Sequence, residues 1–556
     1  MIFGLVKKNQ YQDSVNLMLL SSRLSGMDNL DRVSIMMGTP ANKDIFKNTG
    51  MYVEEFDQAK PNDICIGVEA RDKEMLKVVE KELEAFILDM ASSTRSSNLS
   101  RVKSLQTAIN KMEDANLALI SIPGEYVYEE GKKLLEKGVN LFIFSDNVSL
   151  DEERALKDLA LKKDLIVMGP DCGTGIINKT PLAFANNVNT GNIGVIGASG
   201  TGIQEITSLI SRAGGGISQA IGIGGRDLQE EIGGISAKTA LKMLEEDKET
   251  EVIVFVSKPP AKGVMDMMIE QFKSIDKPLV ALFLGASGNI DSNNVYYTKN
   301  LEEASYLALY LSKKDGSMQK NLDSLKEKLN LIRANPKKRQ IHGYYGGGTL
   351  AGESKLILKK ELQKDKNSTI IDFGDDEYTK GRPHPMIDPT TRIQAFNNLK
   401  DNKEVAIVLF DNVIGYGANQ NMANSLKNPI KDLLEYKKKQ NDEIIIIGSV
   451  CGTDEDIQGY KDQVNILEEA GAIVVESNAS AAKLAKEALE YLNDTRTLEE
   501  EDESFLNKPL KIINVGLMSF AQTLFDKGAS VIQYDWSPIA GGNKELQRML
   551  NLLKDK

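Results

Sequence analysis

Histidine and cysteine are scarce in this chain of 556 residues, which contains two histidines and three cysteines. Cys65, Cys172 and Cys451 lie far apart and are odd in number, which excludes a disulfide framework and a CxxC metal site. A histidine-rich metal site is also excluded, because His342 and His384 are the only imidazoles. We therefore expect no metal site in this protein.

Positive charge and long apolar runs are lacking as well. The chain has 68 basic and 80 acidic residues, a formal net charge of −12. Nucleic acids and anionic membrane surfaces attract clustered positive charge, so we expect neither as a partner. No apolar run approaches the ~18 residues of a membrane span, and the N-terminus lacks the apolar core of a signal peptide. The sequence predicts a cytoplasmic protein.

The length and the alternation of strand-like and helix-like segments predict several domains. Repeated strand–helix units indicate parallel sheets with right-handed crossovers, and a serine-rich stretch indicates a linker. The predicted segments are a small α+β domain at 1–90, a linker at 91–103, a Rossmann-like domain at 104–190, an α/β domain at 191–311, a charged helical connector at 312–340, a second α/β domain at 341–495 and a β-α-β appendage at 506–556.

The α/β segments on either side of the connector carry the same landmarks in the same order, which indicates an internal duplication. SGTGIQE (199–205) is echoed by GGTLAGE (347–353), and GIGGRDL (222–228) by DFGDDEY (372–378). Pairs of apolar strands follow in both segments. The predicted fold class is multidomain α/β, with a Rossmann-like domain, two flavodoxin-like parallel-sheet domains and a small α+β domain at the N-terminus.

Glycine is concentrated in two turns, GASGTG (197–202) and YGGGTL (345–350), each between a predicted strand and a predicted helix. The first N–H groups of a helix lack intrahelical partners and lie at its positive end, so such turns can bind anions. Tight packing of strand on helix is the alternative role. Because the turns are duplicated, we expect the two helix starts to face each other and to hold one phosphate. The predicted phosphate-binding residues are Ser199, Gly200, Thr201, Gly202, Gly347, Gly348 and Thr349.

These motifs carry a family resemblance. MGPDCGTGIIN (168–178) and GVIGASGTGIQE (194–205) resemble the alpha subunit of succinyl-CoA synthetase and other NDP-forming acyl-CoA synthetases. YYGGGTLAGES (344–354) resembles the ligase domain of the beta subunit. With GDDEYTKGRPHPMID (374–388) and the C-terminal NVGLMSF and YDWSPIAGG, the whole chain is similar to the FdrA family, a fused relative of those synthetases. The resemblance implies a CoA-binding-type domain at 104–190 and makes CoA a candidate ligand.

Two departures from the synthetases limit what the resemblance implies. Their phosphohistidine lies in a Gly-His-Ala-Gly-Ala motif, where this chain has GASGN (285–289) and no histidine. An ATP-grasp domain is also missing, because the N-terminal domain is too short to be one. The resemblance therefore implies that the chain keeps a site for inorganic phosphate but does not relay phosphate to a nucleotide through histidine.

The FdrA resemblance implies a subunit of an oxamate carbamoyltransferase in allantoin catabolism. That enzyme would convert oxalurate and inorganic phosphate to oxamate and carbamoyl phosphate. The expected partners are the small-molecule substrate, further subunits of a hetero-complex and copies of the same chain. Two alternatives stay open: an NDP-forming acyl-CoA synthetase, which the missing phosphohistidine opposes, and a non-catalytic scaffold that keeps the anion site as a sensor.

Five residues are candidates for catalysis. His384 lies between two prolines, which make its backbone rigid and extended, and Arg382 is beside it near a strand end, where α/β proteins bind ligands. Arg226, at the equivalent turn of the first unit, is suited to a substrate carboxylate. Glu205 and Glu353 lie early in the predicted helices, where a carboxylate usually complements the dipole but could also position an attacking group.

Overall fold

The computed structural model describes most of the chain. The described ranges are 1–10, 30–95, 100–286, 294–313, 338–379, 383–492 and 510–534, with residues 12, 16, 17, 20, 21, 24 and 27. Arg382 and most of the predicted connector at 312–340 lie outside them. The chain divides into two compact units, Met1–Asn493 and Asp494–Lys556. Among the described helices, none has the length and apolar character needed to cross a membrane.

The N-terminal domain is a three-stranded antiparallel sheet with helices packed on it, in agreement with the predicted α+β domain. Ile35 and Ile66 of the sheet pack against Val79 and Leu83 of the long helix. That helix continues to Arg95, into the predicted linker. The elements are β1 (Ile2–Lys7), β2 (Leu30–Met37), α1 (Pro40–Asn48), a 3-10 helix (Glu54–Phe56), β3 (Ile64–Ala70) and α2 (Glu74–Arg95), with sheet order β1-β3-β2.

The next domain is a small parallel sheet with helices, as the strand–helix alternation predicts. Its elements are α3 (Leu105–Lys111), β4 (Leu117–Ile120), a 3-10 helix (Gly124–Tyr126), α4 (Val127–Glu136), β5 (Asn140–Ile143), α5 (Leu150–Lys162) and β6 (Val167–Met168), with sheet order β4-β5-β6. An unpredicted antiparallel hairpin follows, formed by β7 (Thr174–Ile177) and β8 (Thr180–Ala183). Asn178 and Lys179 both have positive φ, so the turn is a two-residue hairpin turn without glycine.

The first flavodoxin-like unit extends this hairpin into a seven-stranded sheet of order β13-β12-β11-β9-β10-β7-β8. Its five parallel strands are β9 (Thr190–Gly197), β10 (Ile217–Gly222), β11 (Val252–Ser257), β12 (Leu279–Phe283) and β13 (Val295–Tyr297). Its helices are α6 (Gly200–Arg212), α7 (Ile235–Glu246), α8 (Lys262–Lys273) and α9 (Leu301–Lys313).

The second flavodoxin-like unit has a five-stranded parallel sheet of order β15-β14-β16-β17-β18. Its strands are β14 (Gln340–Tyr345), β15 (Thr369–Asp372), β16 (Val405–Val413), β17 (Ile445–Cys451) and β18 (Ile473–Val475). Its helices are α10 (Gly348–Ile357), α11 (Lys359–Lys364), α12 (Asp376–Thr379), α13 (Thr390–Asn398), α14 (Met422–Lys439), α15 (Tyr460–Glu469) and α16 (Asn478–Leu492).

The parallel strands of both units follow one order, with the second strand beside the first and the third, fourth and fifth on its other side. This is the flavodoxin-like arrangement, and it supports the duplication predicted from the sequence. Helices α6, α9, α10 and α16 pack on one another between the two sheets. Apolar side chains of both units, including Ile206, Leu350 and Leu484, form one continuous core there. The packing brings the start of α6 to the start of α10.

The C-terminal unit contains the predicted β-α-β element. Its parts are β19 (Lys511–Val515), α17 (Met518–Asp526) and β20 (Ser530–Tyr534), and the two strands are parallel. Several large apolar side chains of this element are exposed, among them Ile513, Phe520, Phe525 and Ile532.

Candidate functional site

The two glycine-rich turns meet at the carboxyl ends of β9 and β14. Ser199 is the N-cap of α6, and its Oγ accepts the N–H of Gly202 at 3.2 Å. The same hydroxyl hydrogen-bonds Oγ1 of Thr349 in the first turn of α10. The N–H of Thr349 donates to Oγ1 of Thr201 at 3.4 Å. The structure therefore brings the predicted phosphate-binding residues of the two units into direct contact.

Backbone donors remain at this contact. Among the described residues, no acceptor is found for the N–H groups of Gly200, Thr201 and Gly348, which lie at the positive ends of α6 and α10. The hydroxyls of Ser199 and Thr349 already bind each other, so an anion must bind beside their contact or replace it. The arrangement offers N–H and O–H donors from both units to one small anion.

A buried carboxylate already binds the second turn. Oδ1 and Oδ2 of Asp411, on β16, accept the N–H groups of Gly346 and Gly347 at 2.7 Å each. Nη1 of Arg392, on α13, donates to Oδ1 of Asp411 at 3.1 Å and to its carbonyl oxygen at 2.7 Å. Burial raises the pKa of Asp411, and the charge of Arg392 opposes that rise. The N–H of Gly347 is thus bonded to an internal carboxylate, which corrects its predicted role as a phosphate donor.

A second carboxyl group, that of Asp372, lies at the end of β15. Its Oδ1 accepts the N–H of Gly374 at 2.8 Å. Its Oδ2 lies so close to the start of α10 that a Cβ atom on Gly348 would be 2.5 Å from it. Burial raises the pKa of Asp372, the neighbouring carboxylates raise it further, and Lys258 lowers it. Lys258 is exposed and follows β11, so the first unit contributes a positive charge near this carboxyl group.

His384 lies against the same loop. Its Nδ1 accepts the N–H of Met386 at 3.3 Å, so the neutral ring carries its proton on Nε2. A Cβ atom on Gly374 would be 2.7 Å from that Nε2. Burial, and then the charge of Arg392, lower the pKa of His384 to about 4. The structure therefore places His384 near the facing turns as a neutral donor, whereas Arg382 is outside the described residues.

Arg226 is engaged away from the turns. Its Nη2 donates to the carbonyl oxygen of Val148 at 2.8 Å and pairs with Oε2 of Glu153 at 2.7 Å. Glu153 also pairs with the buried Lys157, which binds Asp227 at 2.7 Å. This network joins the Rossmann-like domain to the first flavodoxin-like unit. The contacts give Nη2 of Arg226 a structural role, and its binding of a substrate carboxylate stays a prediction.

Glu205 and Glu353 each cap the start of a helix in the other duplicated unit. Oε1 of Glu205, on α6, accepts the N–H of Asn478 at the start of α16 at 3.0 Å. Oε1 of Glu353, on α10, accepts the N–H of Leu301 at the start of α9 at 2.7 Å, and its Oε2 accepts Nδ2 of Asn478 at 2.7 Å. Both carboxyl groups are buried. They accept N–H groups at the starts of helices in the other unit, and these contacts favour packing over the predicted catalytic role.

The Glu353 cap predicts a pH-dependent stability. Burial raises the pKa of Glu353 from the ordinary 4.5 to about 8. The folded protein then holds a proton that the unfolded chain has released, so stability should fall as pH rises between those values and stay level above them. Thermal melting across this range measures the fall. The neutral variant Glu353→Gln should show a shallower fall, and an equal slope in both proteins would contradict the assignment.

Four residues at the turns are absent from the sequence-based candidates. Asp372 is the last residue of β15, and Lys258 directly follows β11. Charged residues at such strand ends mark the ligand-binding edge of a parallel sheet. Asp411 gives no such signal, because it lies inside a long apolar strand. Arg392 lies on a separate helix, and only the folded structure shows that it pairs with Asp411.

Three family models match parts of the chain. Residues 1–103 match a model described as AllF, heavy metal-associated domain. Residues 188–285 match the CoA binding domain, and residues 344–488 match the CoA-ligase model. The assignment of 104–190 as a CoA-binding-type domain stays a prediction.

Two relatives and one solved structure illustrate what the chain is similar to. YahF of Escherichia coli strain K12 is 37% identical over 509 residues, which cover 87% of this chain and 97% of YahF. The alpha 1 subunit of ADP-forming succinate–CoA ligase from Archaeoglobus fulgidus is 27% identical over 178 residues, 31% of this chain and 59% of that subunit. The solved dinucleotide-forming acetyl-coenzyme A synthetase 1 of Ca. Korarchaeum cryptofilum aligns with a TM-score of 0.30 and 15% identity, over 68% of this chain and 84% of that one.

The N-terminal domain is poor in thiolate and imidazole ligands for a heavy metal. Residues 1–103 contain one cysteine and no histidine. The cysteine, Cys65, is buried, and burial raises the pKa of its thiol to about 11. In the described part of the chain, no group of three or more His, Cys, Asp or Glu side chains is placed to hold a metal ion.

Proposed function

Because the chain belongs to the family of YahF and shares CoA-binding and CoA-ligase domains with acyl-CoA synthetases, we propose that it is the phosphate-binding subunit of an oxamate carbamoyltransferase. In this reaction an oxygen of inorganic phosphate attacks the carbamoyl carbon of oxalurate. The products are oxamate and carbamoyl phosphate. The match of residues 1–103 to the AllF model supports a place in allantoin catabolism.

The facing helix starts are the observation on which the proposal depends. The unpaired N–H groups of Gly200, Thr201 and Gly348 lie together at the positive ends of two helices, beside the hydroxyls of Ser199 and Thr349. Such donors bind phosphate and stabilise negative charge that develops on its oxygens during transfer. Because they come from two units, they fix the position of the anion relative to both. The stabilisation that these donors supply is electrostatic.

Direct attack by phosphate also agrees with the histidines of the chain. The position of the synthetase phosphohistidine contains GASGN (285–289), of which Ser287, Gly288 and Asn289 lie outside the described residues. Nδ1 of His384 accepts a hydrogen bond from the N–H of Met386, and Nε2 carries the ring proton. Neither nitrogen therefore offers a lone pair to a phosphoryl group. A reaction that uses inorganic phosphate as the nucleophile needs no such carrier.

An NDP-forming acyl-CoA synthetase is the second candidate, favoured by the CoA-binding and CoA-ligase matches. CoA is a candidate ligand in both readings. The synthetase reading requires a phosphoryl carrier and a nucleotide site on another subunit. The two candidates therefore differ in their dependence on nucleotide.

The deciding experiment uses the chain co-expressed and purified with the products of its neighbouring genes. Carbamoyl phosphate and oxamate are measured after incubation with oxalurate, with phosphate, CoA and ADP each omitted in turn. Formation that requires phosphate but neither CoA nor ADP supports the proposal. Acyl-CoA formation coupled to a nucleotide would support the synthetase reading, and absence of both activities would favour a scaffold.

Removing one hydroxyl should weaken phosphate binding specifically. Thr201→Ala removes a group at the contact of the turns, and one hydrogen bond to a charged group is worth about 1–3 kcal/mol, roughly a 5- to 150-fold change in affinity. We expect the KM for phosphate to rise by that factor with little change in kcat. Thr201→Ser keeps the hydroxyl and serves as the control. An unchanged KM would show that this hydroxyl serves only the N–H of Thr349.

A further inference from the structure

One carboxyl oxygen beside the facing helix starts has no structural partner. Oδ1 of Asp372 accepts the N–H of Gly374, whereas Oδ2 receives no hydrogen bond from any residue that the structure describes. We propose that Asp372 is the catalytic residue that carries a proton from phosphate to the leaving nitrogen during carbamoyl transfer. The inference rests on the proposed function and assigns the proton transfer that this function requires.

The fold places Asp372 within reach of the bound anion. β15 is parallel to β14, and Asp372 pairs with Tyr345, the last residue of β14. The carboxyl group therefore lies level with the turn that begins α10. The absence of a side chain on Gly348 lets Oδ2 approach the helix start, since a Cβ atom there would be 2.5 Å away. Asp372 thus lies beside one of the unpaired N–H groups to which the site would bind phosphate.

The reaction needs a proton relay, because hydrogen phosphate holds the proton that the departing oxamate nitrogen must gain. Hydrogen phosphate forms a bond from oxygen to the carbamoyl carbon, and the bond from that carbon to the oxamate nitrogen breaks. The carboxylate takes the remaining phosphate proton and delivers it to the departing nitrogen, which leaves as a neutral amide. Total charge is the same before and after, and no further reactant is needed.

The surroundings of Asp372 suit a group that both accepts and gives a proton. Burial and the nearby negative charges raise its pKa above the ordinary value, toward the pH range where a relay works best. The hydrogen bond from the N–H of Gly374 and the charge of Lys258 oppose the rise. Among the described residues, the charged and titratable groups around the turns are Asp411 on β16, Asp375 after β15, Lys258 after β11, His384 in the loop before α13 and Arg392 on α13.

The other titratable groups at the turns are less suited to the relay. Both oxygens of Asp411 bind backbone N–H groups, and Arg392 pairs with that carboxylate. His384 has a pKa lowered to about 4, so it stays neutral and can only donate through Nε2. Asp375 is exposed, and its Oδ1 accepts the N–H of Glu377. Among the described carboxyl groups around the turns, Asp372 is therefore the one that combines an oxygen without a hydrogen bond with a position beside a helix start.

The test is Asp372→Asn in the co-expressed complex. The amide oxygen can still accept the N–H of Gly374, but the side chain can no longer carry a proton. General acid–base catalysis contributes about 10²–10⁴-fold, so kcat for carbamoyl phosphate should fall by that factor. The KM for phosphate should fall, because a negative charge beside the anion is removed. The wild type should lose activity at acidic pH as Asp372 becomes protonated, and Asp372→Asn should not show that loss.

Two further variants make the result specific. Asp372→Glu keeps an acid at a shifted position and should recover part of kcat, which a purely structural role would not predict. Asp365→Asn alters a carboxylate before the amino end of the same strand and should behave as the wild type. Melting temperatures of all variants check that they fold.

Failure of the inference and failure of the proposed function give different results. If the wild-type complex makes carbamoyl phosphate and Asp372→Asn keeps its kcat and pH profile, Asp372 is not the relay. If the wild-type complex makes no carbamoyl phosphate, the proposed function is wrong. Calorimetric titration with inorganic phosphate then tests whether Asp372 lies beside a bound anion. If Asp372→Asn binds phosphate more tightly than the wild type, Asp372 lies beside the anion. If binding is unchanged, Asp372 does not lie in the phosphate site.

Discussion

Replacing Gly348 with alanine is expected to abolish phosphate-dependent turnover while the chain still folds. The added Cβ atom would lie 2.5 Å from Oδ2 of Asp372, closer than any normal contact between a carbon and an oxygen atom. Either the carboxyl group of Asp372 moves away from the helix start or the start of α10 retreats. The first change displaces the proposed relay, and the second displaces the N–H groups of the helix start. Displacements of about 1 Å cost roughly 10²-fold in rate, so kcat/KM for phosphate should fall by at least that factor.

Gly352 provides a matched control on the same helix. A Cβ atom there meets no atom within 4 Å, and alanine in a helix interior is favoured over glycine by roughly 0.5–1 kcal/mol. Gly352→Ala should therefore keep full turnover and melt at the same or a higher temperature. Equal turnover in Gly348→Ala and Gly352→Ala would show that the close approach of Asp372 to α10 has no part in the reaction.

Asp411→Ala is expected to cause the largest loss of stability. The substitution leaves the guanidinium of Arg392 buried without its carboxylate partner and the N–H groups of Gly346 and Gly347 without acceptors. Breaking a buried ion pair on one side typically costs about 3–5 kcal/mol, because an uncompensated charge stays in the interior. Calorimetry of the full chain should show a clear drop in the melting temperature of the unit that contains residue 411.

A double variant separates the charge from the rest of the effect. Asp411→Ala combined with Arg392→Met removes both charges and should recover part of the lost stability, since an apolar pair of similar volume is often as stable as the ion pair. The recovery should be incomplete, because the two glycine N–H groups still lack an acceptor. If the double variant melts as low as Asp411→Ala alone, the buried charge is not the cause.

The fold was largely predictable because its signals are local. Strand–helix alternation, glycine turns and the repeated order of landmarks each occupy a few adjacent residues, and both flavodoxin-like sheets have the predicted parallel architecture. The β7–β8 hairpin was not predicted, since Asn178 and Lys179 adopt positive φ without the glycine that usually marks such a turn. Helix α2 reaches Arg95 because serine, threonine and alanine do not by themselves end a helix.

The sequence by itself determined the two helix starts, the hydroxyl residues beside them and the absence of a histidine at the carrier position, because each depends on residues adjacent in the chain. Only the tertiary structure decided what those groups contact. Arg226 is paired with Glu153, Glu353 caps a helix of the other unit, and Asp411 occupies N–H groups of the second turn. These partners are far apart in the chain and meet only because strand order and helix packing bring particular ends together, which no local pattern of residues encodes.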